Sequence, residues 1–446
     1  MSRDRCRYRK YRSVSIHHGL LYLIALLLVL PLPGCSRRAG DPTGSLVERR
    51  TTDGTITTVR AISGSVWGGR AHLAEEVRIG ADEGPEGDIL SNVRAITCDR
   101  HSIYVLDGGN RCLRVYDMDG RHVRNIGRQG HGPGEMDNPV SLAIHPHNGT
   151  LFVRDGRLRR MNIYTPGGEV IDHWQLPTTW QCSRPSWFDT DAVLFTPEIV
   201  RPPQTDMDFH QGVCFGYISI GPEGALGDTL ARPETDFRHA LVVCHYEDGG
   251  SSAQGVPFTP RVVWSCRNDR SMVWGIPEDY RFEIRSPDGR TVICERPEVR
   301  VPVLPEEAEW HRRKVTASMR RNQPGWAWNG PEIPRYKPAY SDLIPDRSDR
   351  IWVVRQGPGV YHPEGVANPL TSDGYWQNPL YTDSTLIDVF DGQGHFLGEV
   401  EASTEIRFWG NSTWIEDDTV IACAEAPSGA IEVVRYRLVL PDGTAP

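Results

Sequence analysis

Lysine is scarce. Only Lys10, Lys314 and Lys337 occur in 446 residues, and arginine supplies the rest of the basic charge, which reads as codon bias. The formal net charge is −9, so the chain lacks the basic surplus that a phosphate backbone requires, and a nucleic-acid partner is excluded. Charged residues are 24% and hydrophobic residues 39%, too balanced for wholesale disorder. No CxxC pair occurs, which removes zinc-ribbon and thioredoxin-like chemistry. HExxH, P-loop and GxSxG patterns are absent too, so no residue has a defensible catalytic role, and neither a metal nor a cofactor is expected. Only one apolar run approaches the ~18 residues of a membrane span. In abundance instead are Gly 44 and Pro 34, an excess that signals many turns and hence many short strands.

The single long apolar run is N-terminal. Arg3, Arg5, Arg7, Arg9, Lys10 and Arg12 face one acid, Asp4, and precede nearly continuous apolar sequence from Ile16 to Leu32. A basic region followed by an apolar one is the layout of an export signal. It ends Leu32-Pro33-Gly34-Cys35, which resembles a bacterial lipobox. The resemblance implies cleavage before Cys35, acylation of its thiol, and attachment to the lipid bilayer by acyl chains. An uncleaved membrane helix and plain secretion are the alternatives. Ser36 in place of an aspartate favours outer-membrane sorting, so the expected address is the cell envelope, periplasmic or cell-surface. The division expected is 1–34 signal peptide, 35–53 tether and 54–441 folded body. Eight further cysteines, Cys98, Cys112, Cys182, Cys214, Cys244, Cys266, Cys294 and Cys423, permit many pairings. Several lie inside apolar strands, where buried free thiols are the simpler reading.

The body repeats. At an offset of 48 residues, Ala95-Ile96 matches Ala143-Ile144, Tyr104-Val105 matches Phe152-Val153, Asp107 falls on Asp155, and Val115-Tyr116 on Ile163-Tyr164. Each unit carries four short apolar stretches separated by Gly, Asp and Asn, a four-stranded antiparallel meander. That period with four strands marks a propeller blade. Further units follow near 192–224, from Arg261, 340–400 and 412–438, the last stopping after three strands. An orphan strand, Leu73 to Gly80, precedes the first unit and is expected to complete the sixth blade, joining the chain ends and removing an exposed sheet edge. Residues 54–66 form a further strand without an evident place. The expected fold is all-β: a six-bladed β-propeller of four-stranded antiparallel blades, closed by an N-terminal strand, with one inserted helix near 305–320 where Pro305 precedes Glu306 and Glu307.

Gly132-Pro133-Gly134-Glu135, Tyr104-Val105-Leu106-Asp107, Asn110 and Val115-Tyr116-Asp117 together resemble the NHL-repeat pattern. Cys112 departs from it where the pattern has Arg, and Leu158 where it has Asn. The chain is similar to bacterial six-bladed β-propeller lipoproteins, distant relatives of NHL-repeat proteins. The resemblance implies the fold; such folds host binding and catalysis alike.

In a meander, alternate connections emerge at opposite ends. One set is short, as at Asn148-Gly149, Asp119-Gly120 and Pro287-Asp288-Gly289. The other carries four insertions, near 197–214, 233–254, 302–338 and 356–384. Long loops on a rigid scaffold are where function tends to sit. These hold aromatics among acids and amides, and Trp326, Trp328, Tyr336, Tyr361, His362, Tyr375 and Trp376 are the candidate ligand-binding residues. The plainer alternative is that the aromatics pack the loops together and plug the axial channel. Two functions remain open. One is an envelope-held binding or scaffolding module taking a protein, peptide or glycan on its looped end. The other is a metal-dependent hydrolase or lyase in the channel, for which Asp342 is the main acid visible in an inner strand. The apolar inner strands favour binding.

Overall fold

Six stretches of chain form antiparallel sheets because each alternates apolar runs with tight turns. The computed structural model describes residues 44–446 apart from 82, 178–183, 202–213, 247–248, 298–299, 364–380, 404, 409 and 427. The leader and Cys35 lie outside the described residues.

Three strands precede the repeats: β1 (Val47–Asp53), β2 (Ile56–Ser63) and β3 (Arg70–Ile79). The first blade is β4 (Val93–Cys98), β5 (Ser102–Asp107), β6 (Cys112–Asp117) and β7 (His122–Ile126). The second is β8 (Pro139–Ile144), β9 (Leu151–Asp155), β10 (Arg160–Tyr164) and β11 (Val170–Gln175). The third is β12 (Trp187–Phe188), β13 (Leu194–Arg201), β14 (Cys214–Ile220) and β15 (Leu226–Ala231). A separate hairpin, β16 (Leu241–His245) and β17 (Ser251–Gly255), precedes the fourth blade, which is β18 (Val263–Cys266), β19 (Met272–Gly275), β20 (Arg281–Arg285) and β21 (Thr291–Glu295). Helix α1 (Pro305–Asn322) leads to the fifth blade, β22 (Asp342–Pro345), β23 (Arg350–Tyr361), β24 (Tyr381–Asp391) and β25 (Phe396–Glu401). The sixth contains a short β26 (Ile406–Arg407), then β27 (Thr413–Glu416), β28 (Thr419–Glu425) and β29 (Ile431–Val439).

Closure is as expected. β3 pairs antiparallel with β29, from Val433 opposite Ile79 to Val439 opposite His72, and supplies the sixth blade's outer strand. Its first residues also pair in parallel with β25 of the fifth blade, Arg70 opposite Glu399. The strand without an evident place is β2. It runs parallel to β21 as a fifth strand of the fourth blade, and β1 folds back on it as a sixth. Strand pairing therefore begins at Val47, inside the stretch expected as tether.

Apolar side chains fill each of the six spaces between neighbouring blades. Leu106, Leu113, Leu142 and Val153 pack between the first and second, and Phe152, Ile163, Leu194 and Ile220 between the second and third. Trp187, Tyr217 and Trp264 join the third to the fourth, and Val273, Phe282, Tyr340 and Ile351 the fourth to the fifth. Trp352, Val389, Ala422 and Val434 join the fifth to the sixth, and Ile421, Val433, Ile96 and Val105 the sixth to the first. Strands packed on both faces are buried along their whole length, as in β9 and β10, whereas the outermost β11 is almost wholly exposed.

The 48-residue repeat has a physical cause at Asp107 and Asp155. The Asp107 carboxylate accepts hydrogen bonds from the backbone N–H of Ser91, Asn92, Gly109 and Asn110, and from the Asn110 side chain. It thus sews the chain arriving at the blade to the turn between β5 and β6. Asp155 does the same for Asp137, Asn138, Arg157 and Leu158. Arg111 and Arg159, also 48 apart, both sit in the left-handed region at φ 52°. Burial alone would raise the Asp107 carboxyl, but its donors outweigh that and hold it below the usual carboxylate range. Arg114, itself buried, pairs with it at 3.1 Å. Asp107→Ala takes the acceptor from these donors and a carboxylate from beside the buried Arg114, and is expected to cost about 3 kcal/mol or more. Equilibrium urea unfolding checks this; a loss below about 1 kcal/mol would contradict the assigned role.

Candidate functional site

Three of the four long insertions meet in one body. Val242, Cys244 and Val256 of the β16–β17 segment pack against Val315 and Met319 of α1 and against Trp326. The Trp326 indole N–H donates to the Val243 carbonyl at 2.8 Å, and Gln254 donates to the Ser318 hydroxyl at 2.7 Å. β23 and β24 extend beyond their blade as a long hairpin, and α1 grips its base through Lys337. The Lys337 ammonium is fully buried and donates to Glu307 of α1 at 2.8 Å, to the Gly357 carbonyl at 3.0 Å, and to Asp383 of β24. Breaking such a buried pair from one side is costly, so it acts as a latch. The carboxylate of Glu307 lies so close to Gly359 that a Cβ there would meet it at 2.6 Å. Of the fourth insertion, near 197–214, residues 202–213 lie outside the described residues.

The structure separates the aromatic candidates. Trp326 is buried in the insertion body, and Trp328 lies beside it, its N–H donating to the carbonyls of Gly330 and Pro331. Packing, the plainer alternative, accounts for both. Tyr336 and Tyr361 are exposed, and Tyr361 lies 5.2 Å from the Tyr381 ring. His362 shares a 2.8 Å hydrogen bond with the Thr382 hydroxyl. Tyr375 and Trp376 lie outside the described residues. Asp117 accepts from the backbone of Asp119 and Arg121, a turn as read from the sequence. Six described cysteines, Cys98, Cys112, Cys244, Cys266, Cys294 and Cys423, are free thiols.

Beside the insertion body opens a cavity of about 380 Å³ on the axis, lined by the innermost strand of every blade. Its walls include Ala95, Ile96, Leu142, Ala143, Ile144 and Val262. Polar residues gather where inner strands begin, at the looped end: Arg184 ahead of β12, Arg261 ahead of β18, Ser341 and Asp342 at β22, and Asn411 ahead of β27. Chain connectivity explains the adjacency, since Val256 of the insertion core is five residues from Arg261 and Lys337 four from Ser341. The Arg184 guanidinium lies 4.1 Å from the centre of the Trp264 ring and donates to the Trp264 carbonyl. Arg261 reaches the Ser341 carbonyl at 3.5 Å. Burial pushes the Asp342 carboxyl above the usual range, with Arg184 and Arg261 opposing that shift. Asp346, the other carboxylate of the wall, is held by Arg350 at 2.6 Å and by the Trp352 N–H at 3.0 Å. Among the described residues no three His, Cys, Asp or Glu side chains converge as metal ligands. The sequence marked Asp342 but missed the arginines, although Arg261 does stand out as a charge set directly against the apolar Val262-Val263-Trp264.

A family model described as a 6-bladed beta-propeller, DUF5128, matches residues 85–186, which hold the first two blades. This is a six-bladed β-propeller. Solved structures similar to it include a DUF4221 family member from Bacteroides vulgatus, at 10% identity and TM-score 0.49, covering 83% of this chain and 98% of that one. An exported protein from Bacteroides fragilis aligns at 12% identity and TM-score 0.44, over 82% and 95% of the two chains. Virginiamycin B lyase from Staphylococcus aureus aligns at 10% identity and TM-score 0.36, over 78% and 96%. Similarity this remote says nothing of activity. No curated protein matches the sequence.

His311 of α1 makes the insertion body sensitive to acid. Its ring lies 4.6 Å from Trp310 and 4.8 Å from Phe258. Burial pushes its pKa down to about 4; Asp383 opposes this, while Lys314 and Lys337 add to it. An opened body takes up a proton near the ordinary value of about 6.5. Between pH about 6.5 and 4 the opened form therefore binds a proton that the closed form does not, so stability falls as pH falls and is complete above that window. Amide exchange across α1 should be faster at pH 5 than at pH 7 after correction for intrinsic rates, and His311→Phe should remove the difference. An equal pH dependence in the variant would contradict this.

Proposed function

We propose that this propeller is a binding or scaffolding module of the cell envelope, held to the bilayer by an acylated Cys35, which recognises a protein, peptide or glycan with its loop-bearing end. The observation that carries the reading is the gathering of three insertions into one latched body beside the axial cavity, while connections at the opposite end are short turns such as that from Ser286 to Arg290. A rigid ring that builds one end outward presents a preformed surface, which lowers the entropic cost of association. The exposed Tyr336 and Tyr361 and the half-buried His362 are its proposed contacts, and Tyr375 and Trp376 extend it in sequence. Anchoring is supported by the leader and the Leu32-Pro33-Gly34-Cys35 sequence. Among the described residues, no helix is long and apolar enough to cross a membrane. The cavity wall, with one of its two carboxylates held by Arg350, supports binding over metal-dependent chemistry.

The test uses the full chain in its native envelope, with a photo-crosslinking residue at Tyr361 or, at the opposite end, at Asp288. Discrete adducts are expected from position 361 and not from 288, and Cys35→Ala should shift the protein from the membrane to the soluble fraction. Equal adducts from both positions would defeat the loop-face assignment, and an unchanged membrane fraction would defeat the anchor.

A further inference from the structure

The axial cavity carries a guanidinium group at each end. Arg184 and Arg261 stand at its looped end, and Arg347, after β22, at the other. None of the three makes an ion pair within 4 Å with a carboxylate among the described residues, in a chain whose net charge is −9. Positive charge is thus concentrated on the axis of an acidic body, which focuses the field there.

Four buried polar atoms on residues of the same wall have no hydrogen-bond partner: the indole nitrogens of Trp187 and Trp414, the Thr413 hydroxyl and the Asn411 side-chain oxygen. Buried polar groups are normally paired, because leaving one unpaired costs about 1–3 kcal/mol. Both indoles can only donate, and the hydroxyl can donate. Asp342 of the same wall accepts from the backbone N–H of Leu343 at 3.0 Å. Guanidinium groups at the ends of the cavity select an anion. The intervening aliphatic surface from Ala95, Ile96, Leu142, Ala143 and Ile144 selects an organic remainder. About 380 Å³ is within the range of small-molecule sites.

We infer that the axial cavity is a binding site for a small organic carboxylate, whose charged end sits at Arg184 and Arg261 and whose apolar part lies along the inner strands. This deepens the binding-module reading, and rests on it, by assigning the channel beside the looped surface its own ligand class. The aliphatic wall distinguishes a carboxylate with a hydrocarbon body from inorganic phosphate, which would leave that surface uncovered.

The full chain is titrated with benzoate, benzamide and inorganic phosphate at constant ionic strength, following thermal unfolding and calorimetric binding. Benzoate should bind and raise the unfolding temperature, while benzamide and phosphate should do neither. Arg261→Gln should weaken benzoate at least about tenfold, as expected for loss of a charge-assisted contact. Arg184→Gln should weaken it to a similar degree, and Arg121→Gln, on an exposed turn, should leave it unchanged. The unfolding temperature of each variant without additive shows whether it folds; if Arg261→Gln does not, Arg184→Gln decides. No benzoate binding, equal binding of benzamide or phosphate, or unchanged affinity in the folded variants overturns the inference. Failure here with adducts still formed at Tyr361 removes only the cavity site. Loss of the adducts removes the binding-module reading itself.

Discussion

Everything in this molecule depends on the pairing of β3 with β29. A ring of sheets has no stable intermediate shape, because each blade is covered only when both neighbours are in place. The last interblade space, between the sixth blade and the first, is filled by Ile79 of β3 with Ile421, Val433, Ile96 and Val105. Without β3 the sixth blade would end at β29 with an open edge, and Ile79 would be lost from that space. The additional parallel pairing of β3 with β25 ties the fifth blade to the same strand. The chain thus closes through contacts between residues more than 350 positions apart, which fix the circle and hence the axial cavity.

Closure also explains why the insertions can be large without disturbing the fold. The three that form the insertion body leave from connections between blades or from the ends of β23 and β24, so they add to the ring without entering it. Their own cohesion is supplied locally, by the apolar contacts around Trp326 and by the Lys337 latch. That latch is a buried charge held by two carboxylates and a carbonyl, which fixes where α1 sits more than it adds net stability.

Much of this was legible in the chain because the repeat is written in turn chemistry. Asp107 and Asp155 recur since each of the first two blades sews its incoming chain to its second turn with a carboxylate, and the apolar runs recur since inner strands are buried on both faces. The closing strand was legible because Leu73 to Gly80 was a strand too many at one end and the last unit a strand too few at the other. β2 had no such complement: its partner is the edge of a blade more than 200 residues later, and a parallel addition leaves no hairpin signature. The aromatic loops suggested a ligand surface, yet Trp326 and Trp328 serve packing. Composition records which side chains a loop contains, not which of them the loop consumes. The cavity arginines escaped for a related reason. Arg184, Arg261 and Asp342 lie far apart in sequence, and only the circular arrangement brings the starts of inner strands together.

The most direct test of ring closure is native-state amide exchange across β3. If β3 completes the sixth blade, its amides should exchange only with the global unfolding that also exposes β29, with equal protection and equal denaturant dependence. Exchange of β3 at the rate of an exposed edge, while β28 and β29 stay protected, would contradict the account.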